Sequence, residues 1–159
     1  MNIWKQLEDD LRAEGVFMAP RLQAGLLKQR YQANVASAAF DAGGRIIAFC
    51  ALWPTGRPEV VELGTVWVFL PYRGKIYRGQ RLSEAVVADC TAKLKTAKLR
   101  GIMVVGHKRA EEIATACGWE VDAHGDCQAL RWALSGTDRP RSADSGKTAQ
   151  RTALVYYPE

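Results

Sequence analysis

Residues 60–90, VVELGTVWVFLPYRGKIYRGQRLSEAVVADC, pass from a hydrophobic strand through a basic turn with two glycines into an amphipathic helix. Val60, Val61, Leu63, Val66, Val68 and Leu70 supply the β-branched and apolar content of a strand, and Pro71 ends it by removing a donor. Beyond the turn, Leu82, Val86, Cys90 and Leu94 recur at helical spacing with Ala85 and Ala97 beside them, which predicts a helix from about Gly79 to Ala97. Strand, turn and helix start in that order make an anion pocket. The first N–H groups of a helix lack intrahelical acceptors, and the macrodipole adds positive charge there. Gly74 and Gly79 permit close backbone approach, while Arg73, Lys75, Arg78 and Arg81 surround the turn with positive field.

Gly74 and Gly79 are also spaced as in a P-loop, but a P-loop continues with Lys and then Ser or Thr, and this chain continues with Gln80-Arg81. Nucleotide hydrolysis therefore ranks low. The bland alternative is a basic surface turn in front of an ordinary crossover helix.

The stretch from Val66 to Lys75, VWVFLPYRGK, resembles the coenzyme-binding motif of the GNAT superfamily of acyl-coenzyme A-dependent N-acetyltransferases: a strand, Arg/Gln-x-x-Gly-x-Gly/Ala, then a helix. Where that family has Gly or Ala after the arginine, this chain has Ile76 and Arg78, and Gly79 fits only if the turn is one residue longer. A second resemblance lies in GIMVVGHKRAEEIATACGWEV from Gly101. There an apolar run at 102–105 precedes a short helix with Ala110, Ile113 and Cys117 on one face, then Gly118-Trp119 and a further strand. The resemblance spans about the middle half of the chain. It implies an α/β (mixed α+β) fold: a central, mostly antiparallel twisted sheet of about six strands with a splayed strand pair and flanking helices.

The same resemblance implies acetyl-coenzyme A as co-substrate, held by Val66, Trp67 and Val68 on the pantetheine arm and by Arg73, Gly74, Lys75, Ile76, Tyr77, Arg78 and Gly79 at the phosphates. Acetyl transfer needs an oriented amine, a base for its proton, a donor for the carbonyl oxygen and an acid for the leaving thiolate. Glu62 resembles the strand glutamate that many family members use as base; the competing reading is a solvated residue beside Glu59. Strand alternation places Glu62, Gly64, Val66 and Val68 on one face unless a bulge intervenes. Many members carry an acid tyrosine on the second helix, where this chain has Ala114. Tyr72, Tyr77 and His107 are the remaining candidates, and Tyr77 and His107 join Glu62 as proposed catalytic residues.

With 159 residues the chain is long enough for one domain with a real core, and a single domain over 1–159 is expected. No apolar run approaches bilayer length, and charges at Lys5, Glu8, Asp9, Asp10 and Arg12 argue against a secretory signal, so a cytoplasmic protein without membrane partners is expected. Cys50, Cys90, Cys117 and Cys127 are widely spaced, with only His107 and His124 to help them, which argues against a metal and for buried thiols in a reducing compartment. The net charge of +5 favours acidic ligands, either coenzyme A or nucleic acid.

Around the central motif, Ile3, Leu7 and Leu11 mark a helix closed by Gly15, and Leu22, Leu26, Leu27 and Tyr31 mark a second helix over residues 21–32 with these side chains inward. Family resemblance makes these helices a wall of the acceptor pocket. Two apolar runs about Asp41-Ala42-Gly43-Gly44 predict a hairpin, and a further hairpin is expected from 120–123 and 128–134. Residues 135–151 read as a flexible loop, and TALVYYP after it as an edge strand or a partner-docking segment.

Three functions compete. The leading one is an N-acetyltransferase acting on a primary amine of a small molecule or protein, with a second copy of the chain as a candidate partner. The others are a non-catalytic GNAT-like module that binds an acyl-coenzyme A or a protein, and a nucleic-acid-binding domain that uses the turn and Arg139, Arg141, Lys147 and Arg151.

Overall fold

The first twelve-residue helix, α1 (Ile3–Glu14), is set by its two ends. Asn2 Oδ1 accepts from the N–H groups of Trp4 and Lys5, both at 3.1 Å. Gly15 closes the helix at φ 69°, a left-handed turn that only glycine adopts without cost. This is a computed structural model, and it describes residues 2–122 and 152–158. The expected pairing of 128–134 and the loop at 135–151 lie outside the described residues.

After a 3-10 turn at Ala19–Arg21, helix α2 runs Ala24–Gln32. It starts later than the spacing predicts because Leu22 (ψ 37°) and Gln23 (ψ 130°) leave helical geometry after the tighter turn. Gln23 offers no side-chain cap, and Glu8 of α1 takes over that role by accepting from the Ala24 N–H at 3.0 Å. Leu22 and Leu27 are buried, but Tyr31 is 38 % exposed, with its ring against Trp4 and Phe40 rather than inside.

Strands β1 (Ala36–Phe40) and β2 (Ile46–Pro54) form the predicted antiparallel hairpin. Asp41 Oδ1 accepts from the N–H groups of Gly43 and Arg45, each at 2.9 Å, and Gly44 takes φ 89°. Strand β3 (Val60–Val68) follows, then a 3-10 turn at Leu70–Tyr72. A small hairpin of β4 (Ile76–Tyr77) and β5 (Gln80–Arg81) comes next, and then α3 (Leu82–Ala97). Among the described residues there follow β6 (Arg100–Val105), α4 (Lys108–Ala116), β7 (Glu120–Val121) and β8 (Thr152–Tyr156).

Among the described residues six strands make one sheet in the order β1-β2-β3-β6-β8-β7. The pair β3/β6 is parallel, whereas β6/β8 and β7/β8 are antiparallel. This is the mixed, mostly antiparallel sheet that the sequence implies. Its parallel pairing covers only Val60↔Arg100 to Glu62↔Ile102, although both strands continue, so the pair splays. Residues 152–156 do not form an edge. They lie between β6 and β7, because Leu154 is fully buried and Val155 packs on Val60 and Ile102.

The chain divides into two compact units, one of residues 1–51 with 65–90 and one of 52–64 with 91–159. In the first, Trp4, Leu7, Leu11, Leu27 and the β2 residues 46–51 are buried, and Cys90 Sγ lies 3.5 Å from the Cys50 carbonyl. Burial pushes the Cys50 thiol well above its ordinary pKa, with Cys90 adding to the shift. In the second, Trp119 Nε1–H donates to Thr91 Oγ1 at 3.0 Å, and the indole lies on Gly101, where a Cβ would come within 2.5 Å of it. Among the described residues no helix is long and apolar enough to cross a membrane.

Candidate functional site

The basic turn has a different local structure from the one its glycines suggest. Helix α3 begins at Leu82, and residues 76–81 are a two-residue β-hairpin with Tyr77 opposite Gln80. Its turn residues, Arg78 at φ 52° and Gly79 at φ 90°, both have positive φ, the pattern of a type I′ turn. Gly79 therefore serves the hairpin rather than the helix start. Gly74, at φ 72°, redirects the chain after the 3-10 turn. A Cβ at Gly74 or Gly79 would meet nothing within 4 Å, so the space beside both is open. Among the described residues the backbone N–H groups of Gly74, Arg78 and Gly79 have no backbone acceptor. Lys75, Ile76 and Arg78 are exposed.

Arg73 meets two protein groups. Its Nε–H donates to the Val68 carbonyl at 2.6 Å and its Nη2 to Glu14 Oε1 of α1. One turn earlier on α1, Asp10 Oδ2 accepts from Arg45 Nη2 at 2.8 Å, and the Arg45 guanidinium stacks on the Phe69 ring at 4.0 Å. The Phe69 N–H reaches the Ile47 carbonyl at 2.8 Å. An aromatic series, Trp67, Phe69, Tyr72 and Tyr77, runs beside the turn with successive centroids 6.1, 6.4 and 5.5 Å apart. The Tyr77 O–H donates to the Phe40 carbonyl at 3.4 Å, a long bond, and Arg78 lies 5.1 Å from the Tyr77 ring centre.

Strand β3 does not keep its alternation. Val60 and Glu62 are buried, but after that Leu63, Thr65 and Trp67 are buried while Gly64, Val66 and Val68 are half-buried. The register of burial slips by one residue at Glu62-Leu63, so Glu62 does not share its burial with Val66 and Val68 as uninterrupted alternation requires. Close by, Thr65 adopts φ 57°, a strained conformation for a β-branched residue. Such outliers cluster at working sites.

Of the three polar candidates, Tyr77 belongs to the first unit, and Glu62 and His107 to the second. Glu62 is only 3 % exposed, which rules out the solvated reading. His107 precedes α4 as its N-cap, and its Nδ1 accepts from the Ala110 N–H at 3.3 Å. That bond leaves Nε2 to carry the proton of the neutral ring. Ala114, where the family has its acid tyrosine, is 1 % exposed. Among the described residues no group of three His, Cys, Asp or Glu side chains could hold a metal. Asp10, Glu14, Arg45 and Thr65 escaped the sequence reading. Glu14 meets Arg73, and Asp10 meets Arg45, from far along the chain, and a left-handed threonine has no sequence signature.

No family model and no curated protein matches the sequence. Solved structures do match the fold across nearly the whole chain. A Mycobacterium tuberculosis protein in complex with CoA and NLQ superposes with TM-score 0.66 at 12 % identity, covering 97 % of this chain and 93 % of its own. An acetyltransferase of the GNAT family from Staphylococcus aureus gives 0.61 at 10 % identity, covering 98 % and 93 %. A GNAT family N-acetyltransferase from Escherichia coli in complex with CoA gives 0.58 at 17 % identity, covering 98 % and 76 %. The fold is that of the GNAT acetyltransferases.

Proposed function

We propose that the protein is a GNAT-type N-acetyltransferase that moves an acetyl group from acetyl-coenzyme A directly to a primary amine. The observation that carries this reading is the turn at 74–79. It has two left-handed glycines opening on empty space, N–H groups without backbone acceptors and exposed Lys75 and Arg78, all directly after the central strand of a GNAT sheet. That chemistry suits a pyrophosphate. The glycines keep the backbone approachable where a side chain would fill the space, and the two cations act as point charges on the phosphates.

Acetyl-coenzyme A supplies the activated acyl group, so the protein's part is to orient the amine and move its proton. Glu62, buried in β3, is the proposed base, directly or through water. Val66, Trp67 and Val68 are proposed to align the pantetheine arm, and Tyr77, whose present hydrogen bond is long, to donate to the departing thiolate. His107 is the other proposed donor, through Nε2–H, since its Nδ1 accepts in the α4 cap.

Calorimetric titration with acetyl-coenzyme A, with ATP as control, tests the pocket. Selective binding is expected, and Gly74→Glu should weaken it by about tenfold or more by adding bulk and like charge. Glu62→Gln should spare binding and slow amine-dependent thiol release by about 10²–10⁴-fold. Absence of coenzyme binding would sink the reading. One observation favours a second reading, a module that binds the coenzyme without turnover: the acid position is a buried alanine. Binding without thiol release for any amine class would establish it.

A further inference from the structure

Arg73 is the arginine of the coenzyme motif, yet the structure commits it to protein groups. Its two donors bridge the last residue of β3, at the Val68 carbonyl, and the last residue of α1, at Glu14. Asp10, four residues earlier on the same helix, holds Arg45, and Arg45 covers the Phe69 ring. Side chains four residues apart share one face of a helix. One face of α1 thus places two carboxylates on two arginines, and the arginines grip consecutive residues, Val68 and Phe69, where strand becomes turn. Neither ion pair is predicted by sequence spacing, since Glu14 and Arg73 are 59 residues apart and Asp10 and Arg45 are 35 apart.

We propose that Glu14 and Arg73 form a positioning clamp, backed by Asp10 and Arg45, that fixes the exit of β3 and so sets the backbone of the coenzyme turn. Arg73 acts on the coenzyme through that geometry rather than as a phosphate ligand. The proposal rests on the coenzyme reading of the turn, but the clamp itself exists without the ligand. Its energetic logic is specific. Glu14 is an anion beside a site meant for anions, so by charge alone it should repel the ligand. It is tolerated because it completes a two-point fixture for a guanidinium, which a planar fork of donors can satisfy and an ammonium cannot.

The sign of one substitution separates the alternatives. Removing the charge in Glu14→Gln would tighten coenzyme binding if Arg73 were a phosphate ligand or if only the field mattered. The clamp requires the opposite, an affinity for acetyl-coenzyme A lower by about threefold to tenfold. In steady state this appears as a raised KM for the coenzyme with kcat little changed. Arg73→Lys, which keeps the charge and loses the fork, should weaken binding to a similar extent.

Hydrogen exchange of the unliganded protein supplies the independent readout. Amides of residues 69–75 should exchange faster in Glu14→Gln and in Arg73→Lys, while the β1–β2 hairpin amides keep their protection. If the wild-type protein fails to bind acetyl-coenzyme A, the proposed function falls, and the exchange data alone decide the clamp. Unchanged exchange at 69–75 in both variants, or tighter coenzyme binding in Glu14→Gln, overturns it.

Discussion

Gly101 shows how a single missing carbon can be a requirement. A Cβ there would stand 2.5 Å from Trp119 Cη2 and 2.7 Å from Leu94 Cδ1, both within the core of the second unit. Gly101→Ala should therefore destabilise the protein by about 1–3 kcal/mol through forced displacement of the indole. Its Trp119–Thr91 hydrogen bond is the first casualty. Chemical denaturation followed by Trp fluorescence reads the loss, and an unchanged midpoint would show that the indole has room to move. The sequence marks Gly101 and Trp119 only as the start of a strand and the end of a helix. Their contact is a tertiary fact. Glu62 likewise stands in the predicted strand, buried in phase with Val60, but the slip at Leu63 that separates it from the burial of Thr65 and Trp67 is in no period-two pattern.

At the scale of the elements, the strong local signals translate faithfully. Asn2 and Gly15 bound α1 where the apolar spacing starts and stops, and Asp41 with Gly44 shapes the first hairpin. The sequence of residues 74–81 suggests a turn that enters the helix directly, whereas the structure forms a hairpin there, because Gly79 is equally at home at a helix start and in a type I′ turn. Arg78→Asn would give that turn its preferred Asn-Gly pair and remove one cation. The hairpin amides should then gain protection from exchange while coenzyme affinity falls, which separates shape from charge at the site.

The junction of α1 and α2 should respond to acid. The Arg12 side chain, followed by the Ala24 N–H, holds the Glu8 carboxyl below its ordinary pKa. A group with a depressed folded pKa stabilises the fold fully above its unfolded value, and that contribution is lost as pH falls through the folded value. Protection of the α2 amides should hold at neutral pH and decline below about pH 4, with Glu8→Gln removing the dependence. A decline of equal size in the variant would assign the effect elsewhere.

For the whole molecule, the resemblance of residues 66–75 and 101–121 carries the fold, and solved structures of that fold superpose over nearly the full chain at 10–17 % identity. What it does not carry is the position of β8, taken from sequence as an edge and found between β6 and β7. A run of five residues looks the same in either place. The difference lies in which neighbours reach it across the sheet, here Gly101↔Tyr156 to Val105↔Thr152 on one side and Glu120↔Val155 on the other. The net charge of +5 also has a global test: any affinity for duplex DNA should fall steeply with salt, whereas binding to the glycine turn should survive it better.

The interior place of β8 bears on how the protein is made. β8 is made after β6 and β7, so until it emerges the two edges that it later joins lack that partner for their N–H and C=O groups. Val155 and Leu154 then arrive as the strip that joins the two edges. Until they do, the edge of β6 that pairs with β8 is open to other strands, and a chaperone that shields strand edges would act between those two moments.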